Sequence, residues 1–444
     1  MNALSRMQAG AVASNFAVDA DWPEDQWWHV FNDSQLDRLI ETALAQHPSM
    51  AAAEARVQSA NAIRMRERAP LFPSIDAQGD YTRWRNSKNG IFGLAPQFPL
   101  TYTQPEATLS FNYEFDFWKK HANLIAAAVD EMEAREAEAY QSRLILAISV
   151  ADAYFELQTV VAREEIAREL VKNKKALLSM RIQRKTHALD NDWDLNKAEG
   201  TSLTAVQYAT HLAQEVATSG NELQALLAGD FSTPVQLTNI TSGVQEPFPL
   251  PATLPLDLLA HRADIWAKQR RAQAAARRIN VARANFYPNI NLLGYGGLQT
   301  ITPSNFFQAN SFYGTIGPAF HLPIFEGGAL QANYNLSQQE YLIAVAEYNE
   351  QVLIAVKEVL NALIILQKTG EIYQAAQATE AVALHSVELA RKRVQNQLNS
   401  KLDLLSYEID WLQARDNTLQ SLLACLQARL FLIRALGGGC EACE

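Results

Sequence analysis

The sequence predicts a mixed α+β membrane protein in which three chains pool four strands each into a twelve-stranded β-barrel, continuous with a long α-helical barrel. Three observations carry that expectation. One segment of the chain occurs twice, the apolar period switches from 3.6 to 2 and back within each copy, and each copy then runs into about 67 residues of proline-free helical pattern.

The duplication is plainest in ERAPLFPSIDAQG (67–79) and ARANFYPNINLLG (282–294). Laying 44–80 on 259–295 without a gap gives 11 identities in 37 positions, among them Leu44/Leu259, Arg56/Arg271, Arg68/Arg283, Pro73/Pro288 and Gly79/Gly294. Alanine-rich helices inflate such a count. They do not explain matched prolines and glycines.

The elements follow in order. A first helix is predicted from Ser34 to Ala69, with Ser34 as N-cap ahead of Leu36, Leu39, Ile40 and Leu44 at helical spacing, and its counterpart from Leu256 to Phe286. After Pro73 the period becomes 2. Ile75, Ala77, Gly79 and Tyr81 alternate with Asp76, Gln78, Asp80 and Thr82, and the second strand sets Ala107, Leu109, Phe111, Tyr113, Phe115 and Phe117 against Thr108, Ser110, Asn112, Glu114 and Asp116. The second copy has Ile290, Leu292, Gly294 and Gly296, then Phe312, Ile316, Phe320 and Leu322, ending at Pro323 and Gly327-Gly328. Helices from Lys119 to Lys185 and from Ala329 to Gln395 would each span on the order of 100 Å. Each reaches a turn, 188–195 or 397–404, from which another helix returns. The organisation is thus an N-terminal segment 1–33, a first repeat 34–228 with hairpin 73–117, a Pro/Thr/Gly-rich linker 229–254, a second repeat 255–436 with hairpin 288–326, and a tail 437–444.

Four strands of membrane-spanning length cannot close a barrel, and open sheet edges do not survive in hydrocarbon. A dimer would supply eight strands and a lumen filled by side chains; a trimer supplies twelve and leaves a water-filled bore. The expected lumen residues are Asp76, Asp80, Asn112, Glu114 and Asp116, and the expected lipid-facing ones Phe111, Tyr113, Phe115 and Phe320. One amphipathic hairpin alone would be an ordinary sheet over a soluble core. Two hairpins, each adjoining helices too long to cover it, argue for the pore. The competing reading from a different class is a soluble helical scaffold.

Composition narrows the function. With 48% hydrophobic and 19% charged residues the chain can build a core, and a net charge of −10 with dispersed Lys and Arg argues against nucleic acid. The CEAC of Cys440 and Cys443 lacks a second pair, and no two histidines sit at i, i+4, so neither metal nor cofactor is expected. The glycine runs 327–328 and 437–439 lack a phosphate-loop pattern, and no triad motif occurs, so no catalytic residue and no enzyme is expected. Apolar runs such as Leu144–Val150 fall short of the ~20 residues of a membrane helix. The N-terminal MNALSRMQAGAVASNF shows no apolar leader region.

The chain also resembles the TolC-type outer-membrane factors of bacterial tripartite efflux pumps, especially the branch whose linker reads LPxxLLxxRPDI. The resemblance runs through WWHVFNDSQLDRLI (27–40), LAQHPSMAAAEARV (44–57), the two helix-to-strand junctions, FDFWKKHANLIAAA (115–128), LPLDLLAHRADI (254–265), LPIFEGG (322–328), the two turns and RALGGG (434–439). It implies a homotrimer in outer-membrane lipid that extends into the periplasm. There it would serve as a passive exit duct for drugs or other small toxic molecules, handed over by a periplasmic membrane-fusion adaptor and an inner-membrane transporter of RND, MFS or ABC type. A protein-secretion duct of type I is the near alternative. The turns resemble the family's R-x-x-x-G-x-x-S-x-L-D-V tips through Arg184, Asn191, Trp193, Asp194 and Leu195, and through Arg393, Ser400, Leu402, Asp403 and Leu404. Ala188 and Gln397 stand where the family has glycine. Resemblance makes these tips, with Asp190 and Asp192, the periplasmic gate and adaptor-docking region. Their bland reading is helix capping by Asn191 and Ser400, and three crowded aspartates are expected to repel. Ala263 replaces the family's linker proline, and no cysteine stands near the N-terminus to carry the lipid anchor common in that branch.

Overall fold

The computed structural model describes residues 26–90, 99–231 and 262–438. The N-terminal 1–25, most of the linker and Cys440 and Cys443 lie outside them. The chain divides into two compact units, one of 1–55, 137–266 and 350–444, the other of 56–136 and 267–349.

The second unit carries the sheet. Helix α2 (Pro48–Arg68) leads through Pro73 into β1 (Ser74–Arg85), which pairs with β2 (Thr101–Glu114); helix α5 (Ala263–Ala284) leads through Pro288 into β3 (Asn289–Gln299), which pairs with β4 (Phe312–His321). All neighbours are antiparallel and the order is β1-β2-β3-β4. The duplicated prolines therefore do the same job twice. Each stops a helix and starts a strand, because a residue before proline avoids the helical region. Two helices of 67 residues, α3 (Lys120–Thr186) and α6 (Ala329–Gln395), follow the hairpins, and α4 (Asp192–Leu226) and α7 (Lys401–Leu436) return.

Three local expectations need correction. The first helix is two, α1 (Ser34–Gln46) and α2, because Pro48 holds His47 extended at φ −69°, ψ 130°. Its N-cap is Asp33, whose carboxylate accepts from Gln35 N and Leu36 N, and not Ser34. Strand β2 ends at Glu114, so Asp116 is not a strand residue. Its carboxylate accepts from His121 N at 3.0 Å and Ala122 N at 2.8 Å, capping α3.

The main core lies in the first unit, where Trp27, Trp28, Phe31, Leu36 and Ile40 pack on Val150, Tyr154 and Phe155 of α3 and on Leu430, Leu432 and Ile433 of α7. Tyr154 donates to Asp33 Oδ2 at 2.8 Å, which fixes the cap of α1 against α3. Among the described residues two helices, α3 and α7, contain windows long and apolar enough to cross a membrane, but these windows are mostly buried in the protein, as core helices are. The expected apolar-run length missed them because single polar residues interrupt the runs. At the head of α5, Arg262 occupies the N-cap position and Ala263 the first helical turn, where proline is tolerated because that N–H has no helical partner.

Candidate functional site

Two regions hold the residues singled out by sequence. The first is the sheet. Cross-strand pairing sets Asp76 opposite Ser110, Asp80 opposite Glu106, Ser110 opposite Tyr295, and Glu114 opposite Asn291. These residues and Asn112 share one face, because directly paired residues point the same way. Phe111 pairs with Gly294, Tyr113 with Leu292 and Phe320 with Ile290, all on the other face with Ile75, Leu109 and Ile316. That face is bare: Ile75 is 63% exposed, Ile316 72% and Phe320 79%. No described helix of its own unit covers it. Nor do β1 and β4 have a further strand neighbour among the described residues.

The polar face carries a cluster that sequence reading missed. Glu106 accepts from Thr108 Oγ1 at 3.2 Å, from Gln299 Nε2 at 3.2 Å and from the Tyr313 hydroxyl. The alternation was traced only from Ala107 onward, although Gln104 and Glu106 continue it. Glu114 is less free than expected. His121 Nε2 lies 3.1 Å and Lys120 Nζ 3.9 Å away, tying the end of β2 to the start of α3. Phe115, just past the strand, packs on Tyr113 and Phe117. Trp118 stacks on Tyr287 and donates to Pro288 O at 2.8 Å, so an aromatic clamp closes the helix-to-strand junction.

The second region is the pair of turns in the first unit, built alike. In the α3–α4 turn Ala188 N donates to Lys185 O and Leu189 N to Arg184 O, each at 2.9 Å; in the α6–α7 turn Gln397 N donates to Val394 O at 3.0 Å and Leu398 N to Arg393 O at 2.8 Å. This paired closure needs one left-handed residue. Ala188 (φ +57°) and Gln397 (φ +60°) fill that place. Asn191 Oδ1 then caps α4 through Asp194 N, and Ser400 caps α7 in a reciprocal box with Asp403. A side chain at a left-handed position costs roughly 1–2 kcal/mol. Ala188→Gly and Gln397→Gly should therefore each raise stability, by about 1 kcal/mol or less once the looser unfolded chain is counted. Thermal unfolding of each single variant checks this, and a lower midpoint contradicts it.

The aspartates at the first tip are not a simple repelling group. Asp190, 4% exposed at the side chain, lies 3.1 Å from both Arg181 Nη1 and Arg184 Nε. Burial opposes its charge, but the two arginine hydrogen bonds outweigh that and hold its carboxyl below the usual range. Asp192 pairs with Lys185. Asp194 has no cationic partner among the described residues. In the second tip Arg393 Nε reaches Asn399 Oδ1 at 2.8 Å, the counterpart of the Arg184 clasp. Leu189 (64%), Trp193 (77%) and Leu398 (68%) project into solvent, while Leu195, Leu402 and Leu404 are half-buried in the first turns of the returning helices.

Two polar hubs, one buried and one half-buried, had no sequence signal beyond residue type. Arg262 Nη1 donates to Ala435 O at 2.8 Å, and its Nη2 reaches Asp264 Oδ2 at 2.7 Å and Glu358 Oε2 at 2.8 Å. Arg163, Tyr208 and Asp416 link α3, α4 and α7: Arg163 donates to Tyr208 at 2.8 Å and Tyr208 to Asp416 at 2.7 Å. Burial and the Asp416 carboxylate push the Tyr208 phenol up to about 12. No group of three or more metal-binding side chains occurs among the described residues.

Residues 39–229 and 254–438 match the sequence model of the family described as Outer membrane efflux protein. The chain belongs to that family. It is 29% identical over 434 residues to the multidrug resistance outer membrane protein MdtQ of Escherichia coli O157:H7, covering 95% of this chain and 90% of that one. Its fold matches the outer membrane protein VceC of Vibrio cholerae with a TM-score of 0.81 at 28% identity, over 95% of this chain and all (100%) of that one. The CmeC outer membrane channel of Campylobacter jejuni superimposes with a TM-score of 0.88 at 21% identity, over 97% and 91% of the two chains. This outer-membrane efflux protein therefore has the α+β fold of the trimeric TolC-type channels, with four strands per chain. It resides in the outer membrane and extends into the periplasm as the outer-membrane channel component of an efflux pump. Its family and fold neighbours are channels rather than enzymes.

Proposed function

We propose that three copies of this efflux protein close their sheets edge to edge around a water-filled bore that passively discharges small toxic molecules. One observation carries this reading above the others: among the described residues no strand lies beyond β1 or β4, and the apolar face stands exposed at Ile75, Ile316 and Phe320. Exposing a large apolar side chain costs about 1.5–3 kcal/mol relative to burial, so Ile75, Ile316 and Phe320 call for lipid. Helix α6 supports the same assembly. Its exposed Leu336 and Ile343, Leu353 and Leu360, Ile365 and Ile372, and Val382 and Leu389 form four pairs, each with members seven residues apart, short apolar strips that a neighbouring helix would cover.

The two tips are the periplasmic gate and the dock for a membrane-fusion adaptor in this reading. Exposed Leu189, Trp193 and Leu398 offer apolar contacts beside the Arg184–Asp190 clasp. An inner-membrane transporter of RND, MFS or ABC type would supply the cargo. The relatives named for multidrug resistance favour small molecules over a secreted protein. Loss of dye efflux on deleting the chain beside its transporter, with protein export unchanged, distinguishes the two.

On the polar face the charged strand residues are carboxylates: Asp76, Asp80, Glu106 and Glu114. A pore lined this way favours cations. Purified protein in a planar bilayer under a KCl gradient should show a cation-selective reversal potential, and Asp76→Asn with Asp80→Asn and Glu106→Gln should move it toward zero. Absence of conductance contradicts the channel; anion selectivity contradicts the assignment of the lumen face.

A further inference from the structure

The end of the sheet away from the helices has a charge pattern that conduction does not use. All four helix junctions, before β1, after β2, before β3 and after β4, lie at one end of the sheet, since Ser74 pairs with Asn112, Glu114 with Asn291 and Asn289 with His321. The hairpin turns lie at the other. Between Tyr81 and Pro105, and between Thr300 and Ser311, the sequence holds three charged residues, Arg83, Arg85 and Lys88, and no acid, in a chain of net charge −10. All three are exposed and paired with no carboxylate among the described residues.

Their placement is specific. Arg83 and Arg85 follow Tyr81 at the period of the strand, so they share the apolar face with Ile75, Leu109 and Phe111 and not the face of Asp76, Asp80 and Glu106. They sit about 7 Å apart, two strand residues. Arg83 pairs with Thr103 and Arg85 with Thr101, which adds two hydroxyls on the same face. Guanidinium forks beside hydroxyl donors, at the rim of a lipid-facing wall, match phosphate monoesters held at a membrane surface.

We propose that Arg83, Arg85 and Lys88 bind the phosphate groups of an anionic outer-leaflet glycolipid of the lipid A type. The site rests on the membrane-spanning reading of the sheet, and the hairpin end then lies at the cell surface because the helices extend into the periplasm. It anchors the rim of the barrel and sets its depth in the bilayer.

The test uses the intact detergent-purified protein and native mass spectrometry with three added lipids: bis-phosphorylated lipid A, the same lipid after phosphatase treatment, and phosphatidylglycerol. Bilayer conductance is measured in parallel. The wild type should retain bis-phosphorylated lipid A at least tenfold better than either of the others, and Arg83→Gln/Arg85→Gln/Lys88→Gln should lose that preference while keeping its conductance. Equal retention of the three lipids by the wild type overturns the proposal, whether or not the variant folds. An unchanged preference in a conducting variant overturns it too. Failure of the wild type to conduct would instead strike the membrane-spanning reading beneath it.

Discussion

Replacing Arg262 by methionine should destabilise the protein by about 3–5 kcal/mol, the cost of stripping one partner from a buried ion pair. The guanidinium side chain is 5% exposed and serves three elements at once. It satisfies a carbonyl at the end of α7 through Ala435, holds Asp264 at the head of α5, and reaches Glu358 on α6. Asp264 in turn accepts from Ile265 N and Gln351 Nε2, so it loses one of several supports, whereas Glu358 keeps no other cationic partner among the described residues. Burial opposes the arginine's charge, yet the Asp264 and Glu358 carboxylates outweigh that and keep its pKa raised. Adding Glu358→Gln to Arg262→Met should recover part of the loss, because it removes an uncompensated negative charge. Thermal unfolding of the wild type, both singles and the double checks this. Losses that simply add would contradict the coupling.

The second large effect is expected at Gly297. A Cβ there would stand 2.2 Å from Ala107 O and 2.9 Å from Thr108 Cα, both backbone atoms of the paired strand. No rotamer change relieves such a clash, so Gly297→Ala must push β3 from β2, the seam that joins the two hairpins. Overpacking of this kind costs typically 1–3 kcal/mol and more when backbone must move. On gels of unheated samples the wild type should run as a trimer and Gly297→Ala as a monomer. Gly317→Ala on β4, whose Cβ would meet nothing within 4 Å, is the control and should assemble as the wild type does.

Much of this architecture was legible because it is periodic and repeated. Pro73 and Pro288 fixed where helices give way to strands, alternation placed Asp76 and Phe111 on opposite faces, and the absence of proline gave α6 its observed ends, Ala329 and Gln395. Boundaries failed where a side chain competes with the pattern. Asp116 fits the alternation of β2 by spacing, but a carboxylate next to free helix N–H groups caps them instead. Asp33 took the cap from Ser34 for the same reason. The reading of crowded aspartates as mutual repulsion overlooked Arg181, nine residues earlier on the facing turn of α3. Arg262 and the Arg163–Tyr208–Asp416 hub were illegible because their partners are distant in sequence, and single charges on helices carry no spacing signal. Ala188 and Gln397 were located through the resemblance, as the residues standing where the family's tips have glycine, the residue that a left-handed turn position favours.

The shared barrel requires that β1 and β4, separated within one chain by two intervening strands, meet only between chains. Strands lie about 4.8 Å apart, so the two edges of one sheet are roughly 14 Å from each other, and a disulfide needs Cα atoms within about 7 Å. In a cysteine-free background, single cysteines placed along β1 at Gln78 and Asp80 and along β4 at Thr315 and Gly317 should, on oxidation, give covalent dimers and trimers in at least one pairing. A β1–β4 pair that cross-links only within the monomer would show one chain sealing its own sheet, and would contradict the shared barrel.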